Sequence, residues 1–71
     1  MARVVRAIQE GAGDGRVALT VDGQRLEFGA RWLPGSALPA AAGDLDREVV
    51  IEHVDGDIAY VEPWALVENR L

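Results

Sequence analysis

The chain has 71 residues, of which 49% are hydrophobic and 27% charged, and it contains one histidine and no cysteine. This balance is typical of a folded chain, and the length accommodates one small domain, residues 1–71, without room for a second core. Disulfide bridges and a Cys/His zinc site are excluded, and we expect no cofactor. Seven arginines oppose twelve carboxylates, and the resulting formal charge of −5 disfavours nucleic acid as a partner.

The N-terminal sequence lacks the apolar core of a signal peptide. No apolar run approaches the roughly 18 residues needed to cross a bilayer. We therefore expect a soluble, cytoplasmic protein with no membrane insertion.

The first elements in chain order are a strand and a loop. Residues 3–9 are rich in β-branched residues and predict the first strand. The glycines at 11, 13 and 15 then predict a mobile loop at 10–15, because glycine breaks regular structure.

A β-hairpin is predicted next, because two alternating runs flank the dipeptide Asp22-Gly23. This dipeptide favours the positive φ angles of a type I′ turn. A two-residue turn places most of the apolar residues opposite each other on one face of the hairpin and leaves the other face more polar. The pairs on the first face are Val21 with Gln24, Leu19 with Leu26 and Val17 with Phe28; the pairs on the more polar face are Thr20 with Arg25 and Ala18 with Glu27.

Residues 30–46 contain two prolines and two glycines and predict a connection, with one helical turn at 40–42. A second hairpin then flanks Asp55-Gly56, with Val54 facing Asp57. The other expected pairs are Glu52 with Ala59 and Val50 with Val61. This register makes both faces apolar, with Val49, Ile51, Ile58 and Tyr60 on one and Val50, Val54, Ala59 and Val61 on the other. Two apolar faces predict a covering element or a subunit contact.

Residues 63–71 begin with Pro63, which is favoured at the first helical position, and predict a short C-terminal helix. Trp64, Val67 and Leu71 then form one apolar stripe that lies against the sheet. An extended tail is the alternative.

No catalytic or metal site is predicted. His53 has no second histidine or cysteine with which to ligate a metal, and we expect a structural role for it. Asp44, Asp46, Asp55 and Asp57 lack the spacing of a calcium loop and are interpreted as turn and cap residues. The only serine, Ser36, has no neighbouring base to activate it, so we expect no enzymatic activity.

The order of elements predicts an all-β, five-stranded barrel of the OB type or the SH3-like type, with the short C-terminal helix. Residues 16–63 contain RVALTVDGQRLEF, ALPAAAGD and VVIEHVDGDIAYVEP. This segment resembles the soluble OB-type domain of NfeD-like proteins, in which two similar hairpins are joined by a loop. The resemblance implies an accessory, protein-binding role beside membrane scaffold proteins, and no catalytic residue.

We therefore expect a non-enzymatic barrel that acts as a protein–protein interaction module and forms a homo-oligomer, with an unidentified protein partner. Both tryptophans fall in segments predicted not to be strands, where such residues serve packing more often than binding. A nucleic-acid-binding module using Arg16, Arg25 and Arg31 is the first alternative. A small-molecule pocket around Trp32, His53 and Tyr60 is the second. The candidate interaction surface consists of Trp32, Ile51, His53, Ile58, Tyr60 and Trp64.

Overall fold

The computed structural model describes residues 1–11 and 13–71, which form five strands and one short helix. The predicted loop at 10–15 lies between the first two strands, and its residue 12 is outside the described residues. The elements are β1 (Ala2–Arg6), β2 (Gly15–Val21), β3 (Gln24–Trp32), β4 (Glu48–Asp55), β5 (Ile58–Pro63) and α1 (Trp64–Glu68).

The five strands form one closed barrel in the order β1-β2-β3-β5-β4, and β4 pairs with β1 to complete it. The pairing of β3 with β5 is parallel, and the other four pairings are antiparallel. The prediction of an all-β, five-stranded barrel with a short C-terminal helix is confirmed. Closure pairs most strand edges, which otherwise template aggregation.

The first hairpin has the predicted register, with Val17 opposite Phe28 and Leu19 opposite Leu26. Asp22 and Gly23 have φ angles of 52° and 77°, as a type I′ turn requires. The connection predicted from residue 30 begins later, because β3 continues to Trp32 and pairs with β5. The expectation that Trp32 lies outside the strands was therefore wrong.

The second hairpin differs from its predicted register by one residue in the turn. Asp55 is the last residue of β4 and lies opposite Ile58, so the turn consists of Gly56 and Asp57. Gly56 has a φ of 63° and Asp57 is not among the residues with positive φ. Glycine at the first central position is characteristic of a type II′ turn, which needs only one left-handed residue. Asp55 therefore stays in the strand.

A register shift between Ile51 and His53 then redistributes the two faces of this hairpin. Ile51 lies opposite Val61 on the inner face, whereas His53 lies opposite Tyr60 on the outer face, because a bulge at Glu52 adds one residue to β4. The predicted assignment of faces was wrong, since alternation alone carries no information about a bulge. The inner face carries Val49, Ile51, Ala59 and Val61, and the outer face carries Val50, His53, Ile58 and Tyr60.

The connection and the C-terminal helix differ in part from expectation. Residues 40–42 form hydrogen-bonded turns instead of a helical turn, and Ala41 has a φ of 60°, which is incompatible with an α-helix. The helix is present, and Pro63 precedes it as the last residue of β5. Trp64 and Val67 are half-buried, but Leu71 is 91% exposed, so the predicted stripe does not extend to the C-terminus.

The hydrophobic core lies near the end of the barrel at which β1 ends, which we call the closed end. The largest fully buried side chains are Val4, Val17, Val49 and Val61. The connection between β3 and β4 covers this end, and its attachment to the chain after β1 includes a hydrogen bond from the amide of Ile8 to the carbonyl of Gly43 (2.9 Å). The opposite end carries the turns of both hairpins, and we call it the open end.

Substituting either turn glycine with valine should reduce the free energy of unfolding by about 1–3 kcal/mol. Apart from the adjoining residues, no atom in the described part of the chain lies within 4 Å of a Cβ built at Gly23 or Gly56, so the cost comes from positive φ and not from a clash. Thermal and urea denaturation of each variant measure it. An unchanged midpoint in both variants would contradict the turn geometry.

Candidate interaction surfaces

The six residues of the candidate interaction surface divide among three places. His53, Ile58 and Tyr60 share the outer face of β4 and β5, where the rings of His53 and Tyr60 stack with centroids 4.8 Å apart. Ile51 and Trp32 are half-buried and pack against the core. Trp64 is the first residue of α1. The structure therefore brings three of the six together.

The open end exposes apolar side chains that point toward the barrel axis. Val21, Leu26 and Val54 share the faces of their strands with core residues, yet are 45%, 37% and 44% exposed. Leu19 and Phe28, from the same hairpin, lie below them and are half-buried against the core. These residues form an apolar surface at one end of the barrel, which alternation alone did not distinguish from core.

The exposure results from unequal strand lengths. Strand β3 pairs with β5 only from Gly29 onward, so residues 24–28 extend past the start of β5. Strand β4 pairs with β1 only through Glu48 and Val49, so residues 51–55 extend past the start of β1. The tips of both hairpins therefore lack a neighbouring strand on one edge, and their inward side chains lack the opposing wall that buries the core.

Three carboxylates border this apolar surface. Asp22 belongs to the first turn, and Asp55 and Asp57 flank or belong to the second. All three are exposed, and within residues 1–11 and 13–71 none takes part in an ion pair. The open end is thus apolar at its centre and acidic at its rim.

Charge is segregated around the barrel in a way that the linear sequence conceals. Strands β1, β2 and β3 carry five arginines and one carboxylate, Glu27. Strands β4 and β5 and helix α1 carry five carboxylates and no arginine. The closed barrel places β1, β2 and β3 side by side and so forms an arginine-rich face. Its residues are Arg3, Arg6, Arg16, Arg25 and Arg31.

Ion pairs neutralise part of this arginine-rich face. Glu27 accepts a hydrogen bond from Arg16 (2.8 Å) and one from Arg25 (3.4 Å), and Arg3 lies 3.7 Å from a carboxylate of β4. The hydrogen bond from Arg16 is the main reason that the pKa of Glu27 is lowered. In the part of the chain that the structure describes, Arg6 and Arg31 have no ion-pair partner.

One further ion pair connects the C-terminal segment to the sheet. Arg70 donates a hydrogen bond to Glu62 of β5 (3.0 Å), and the side chain of Glu62 is only 13% exposed. This bond is the largest cause of the lowered pKa of Glu62 and of the raised pKa of Arg70. The pair holds the chain after α1 against the barrel.

Arg70→Gln should raise the pKa of Glu62 toward its ordinary value of 4.5, because the charged form loses its principal hydrogen bond. A carboxyl whose pKa is lowered by folding stabilises the fold above its unfolded pKa, and this contribution is lost as the pH falls through the folded pKa. The variant should therefore lose less stability on acidification than the wild type does. NMR titration of the Glu62 carboxyl measures the shift. Arg47→Gln is the control, because Arg47 is exposed and forms no ion pair among the described residues.

The closed end carries shallow clefts around Trp32. One, of about 270 Å³, is lined by Arg31, Trp32 and Ser36 among others, and a second, of about 320 Å³, lies between Trp32 and the connection. Neither is lined by His53 or Tyr60, so the three residues proposed for a small-molecule pocket do not share one of these clefts.

Two other features concern metals and membranes. Residues 1–11 and 13–71 contain no group of three or more His, Cys, Asp or Glu side chains placed to hold a metal ion. Over the same residues, no helix has the length and apolar character to cross a bilayer.

A small closed β-barrel with an apolar open end and segregated charge is the class of protein that the fold and these surfaces define. Comparison of the chain with protein-family models, with curated proteins and with solved structures finds no match.

Proposed function

We propose that this chain is a non-enzymatic protein-interaction module that binds its partner at the open end of the barrel. The observation that supports this most directly is the exposure of Val21, Leu26 and Val54 at one end of a chain that buries its other inward valines completely. Clustered apolar side chains exposed on a small domain mark binding sites more often than isolated ones do. The polar rim around them matches the general anatomy of protein interfaces.

The barrel is best interpreted as the OB type. Strand β4 returns beside β1 to give the spatial order 4-1-2-3 of a Greek key, and β5 fills the gap between β3 and β4. The OB-fold is a five-stranded Greek-key barrel, and the parallel pairing of β3 with β5 supports this type over an SH3-like meander. The NfeD-like resemblance is consistent with this topology, and it supports a protein partner without identifying one.

Affinity capture with a triple variant tests the proposal. The chain carrying Val21→Ser, Leu26→Ser and Val54→Ser should lose a partner that the wild type retains, because the apolar surface supplies most of the affinity. Leu45→Ser is the matched control, since Leu45 is 62% exposed but lies in the connection. Each retained protein is then purified and its binding measured by calorimetry. A partner that binds the triple variant and the wild type equally would contradict the proposal.

Self-association stays a prediction, with a second copy as one candidate partner. Sedimentation equilibrium of the intact chain, of a chain ending at Glu62 and of the triple variant distinguishes the possibilities. A dimer that the triple variant does not form would make a second copy the partner. A dimer formed only by the shortened chain would indicate that the C-terminal segment covers apolar surface. If all three chains are monomers, the partner is a different protein.

Binding of a polyanion to the arginine-rich face is a second candidate function, favoured by the gathering of five arginines on three adjacent strands. Of these five arginines, only Arg6 and Arg31 are free of ion pairs among the described residues. Two phosphate contacts give a salt dependence with a slope of about −1.4 on single strands, far below that of strong binders.

We therefore expect no micromolar binding of single-stranded DNA or RNA at physiological salt. Fluorescence anisotropy titration of a labelled oligonucleotide measures it. Micromolar affinity that weakens steeply with added salt, and is abolished by Arg6→Gln with Arg31→Gln, would establish the second candidate in place of the first.

A further inference from the structure

The charges around the open end restrict the chemistry of the partner. Asp22, Asp55 and Asp57 are exposed carboxylates within three residues of the exposed Val21 or Val54. They come from two hairpins that are distant in sequence and adjacent in the barrel. An apolar surface bordered by three carboxylates that have no ion-pair partner among residues 1–11 and 13–71 is complementary to apolar side chains flanked by cations.

We propose that the open end binds a segment of a partner protein in which apolar side chains are flanked by lysine or arginine. This inference rests on the proposed function and specifies the partner of the same surface. Burial of the partner's apolar side chains against Val21, Leu26 and Val54 supplies the affinity, and the three carboxylates select for positive charge.

The same arrangement disfavours other occupants. A nucleic acid or an anionic lipid surface would approach the three carboxylates with like charge. A second copy docking open end to open end would bring two sets of three carboxylates together, which costs free energy unless cations intervene. The arginine-rich face of a second copy has the right charge, but its core-facing apolar residues are buried, so it does not supply the apolar side chains.

The rim can be neutralised without disturbing the turns. Asp22 has a φ of 52°, and asparagine tolerates this left-handed conformation as well as aspartate does. Asp55 and Asp57 are exposed and form no side-chain hydrogen bond in the described part of the chain. Asp→Asn at these three positions therefore removes charge while the fold is retained.

The test uses two synthetic amphipathic peptides of identical pattern, one built from leucine and lysine and the other from leucine and glutamate. Each is titrated into the ¹⁵N-labelled full chain and followed by NMR. We expect amide shifts at Val21, Leu26 and Val54 with the lysine peptide, and an affinity about tenfold higher than that of the glutamate peptide, the total expected of three weak surface ion pairs.

This preference should disappear in the variant carrying Asp22→Asn, Asp55→Asn and Asp57→Asn. It should persist in the matched control carrying Glu10→Gln, Asp44→Asn and Glu68→Gln, which loses three exposed carboxylates away from the open end. Equal affinity for the two peptides, with shifts at the open end, would overturn the cationic preference and leave the proposed function standing. Amide shifts confined to other parts of the barrel, or no shifts with either peptide, would overturn the inference. The capture experiment tests the proposed function separately.

Discussion

Gly43→Ala should destabilise the protein by about 3–4 kcal/mol, a large part of the total stability of a small domain. A Cβ built at Gly43 lies 2.0 Å from the carbonyl oxygen of Ile8 and 2.9 Å from its carbonyl carbon. Both are backbone atoms, and the same two residues are joined by the hydrogen bond from the Ile8 amide to the Gly43 carbonyl. Relief of the clash therefore requires separating the connection from the chain after β1 and losing this bond.

Gly35→Ala is the matched comparison for this substitution. Gly35 lies in the same connection and has a φ of 85°, but beyond its two chain neighbours no described atom lies within 4 Å of a Cβ built there. Its cost is the strain of a left-handed alanine, about 1 kcal/mol. Thermal denaturation separates the two variants, because each kcal/mol shifts the midpoint of a domain of this size by about 4–8 °C. A Gly43→Ala variant as stable as Gly35→Ala would mean that the two segments are not in contact.

Val61→Ala should reduce the free energy of unfolding by about 2 kcal/mol, whereas Val54→Ala should change it by less than about 0.5 kcal/mol. Both valines face inward from neighbouring strands of the same hairpin, and the substitution removes the same atoms. Val61 is completely buried, so its loss leaves a cavity among core side chains that relax only in part. Val54 is 44% exposed, and water fills the space that its methyl groups leave.

Urea denaturation of the two variants measures this difference, provided that the slopes of the transitions agree. The comparison also tests the proposed function from an independent direction. An apolar side chain that contributes little to the free energy of unfolding is available to bind a partner. Equal losses of stability at the two positions would indicate that the open end is part of the core, and the interaction proposal would lose its main support.

Local chemistry was sufficient to predict several elements. Asp22-Gly23 determined the first hairpin and its register, because only a few residue pairs accept two consecutive positive φ angles. Pro63 indicated a helix in the C-terminal segment, and the helix begins one residue later, at Trp64, because Pro63 itself is the last residue of β5. Alternation of apolar residues predicted five strands, and in so short a chain five strands close into a barrel.

Other features depended on contacts that local patterns do not encode. The type II′ turn at Gly56 and the bulge at Glu52 shifted the second hairpin, and the predicted faces of β4 and β5 were wrong for that reason. Trp32 joined β3 because β5 lies beside it in parallel, at a sequence distance that no alternation pattern reveals. Of the six predicted surface residues, the barrel brought together only His53, Ile58 and Tyr60.

The sequence by itself determined the all-β class and the first hairpin, because these follow from backbone preferences, and it favoured the C-terminal helix over an extended tail. The tertiary structure decided which inward-pointing residues are core and which are surface. Val54 and Val61 have the same chemistry and face the same way, and they differ only in whether another strand lies across from them. Closure of the barrel likewise gathered arginines from three strands on one face and aspartates from two turns at one end, since pairing brings together charges that are far apart along the chain.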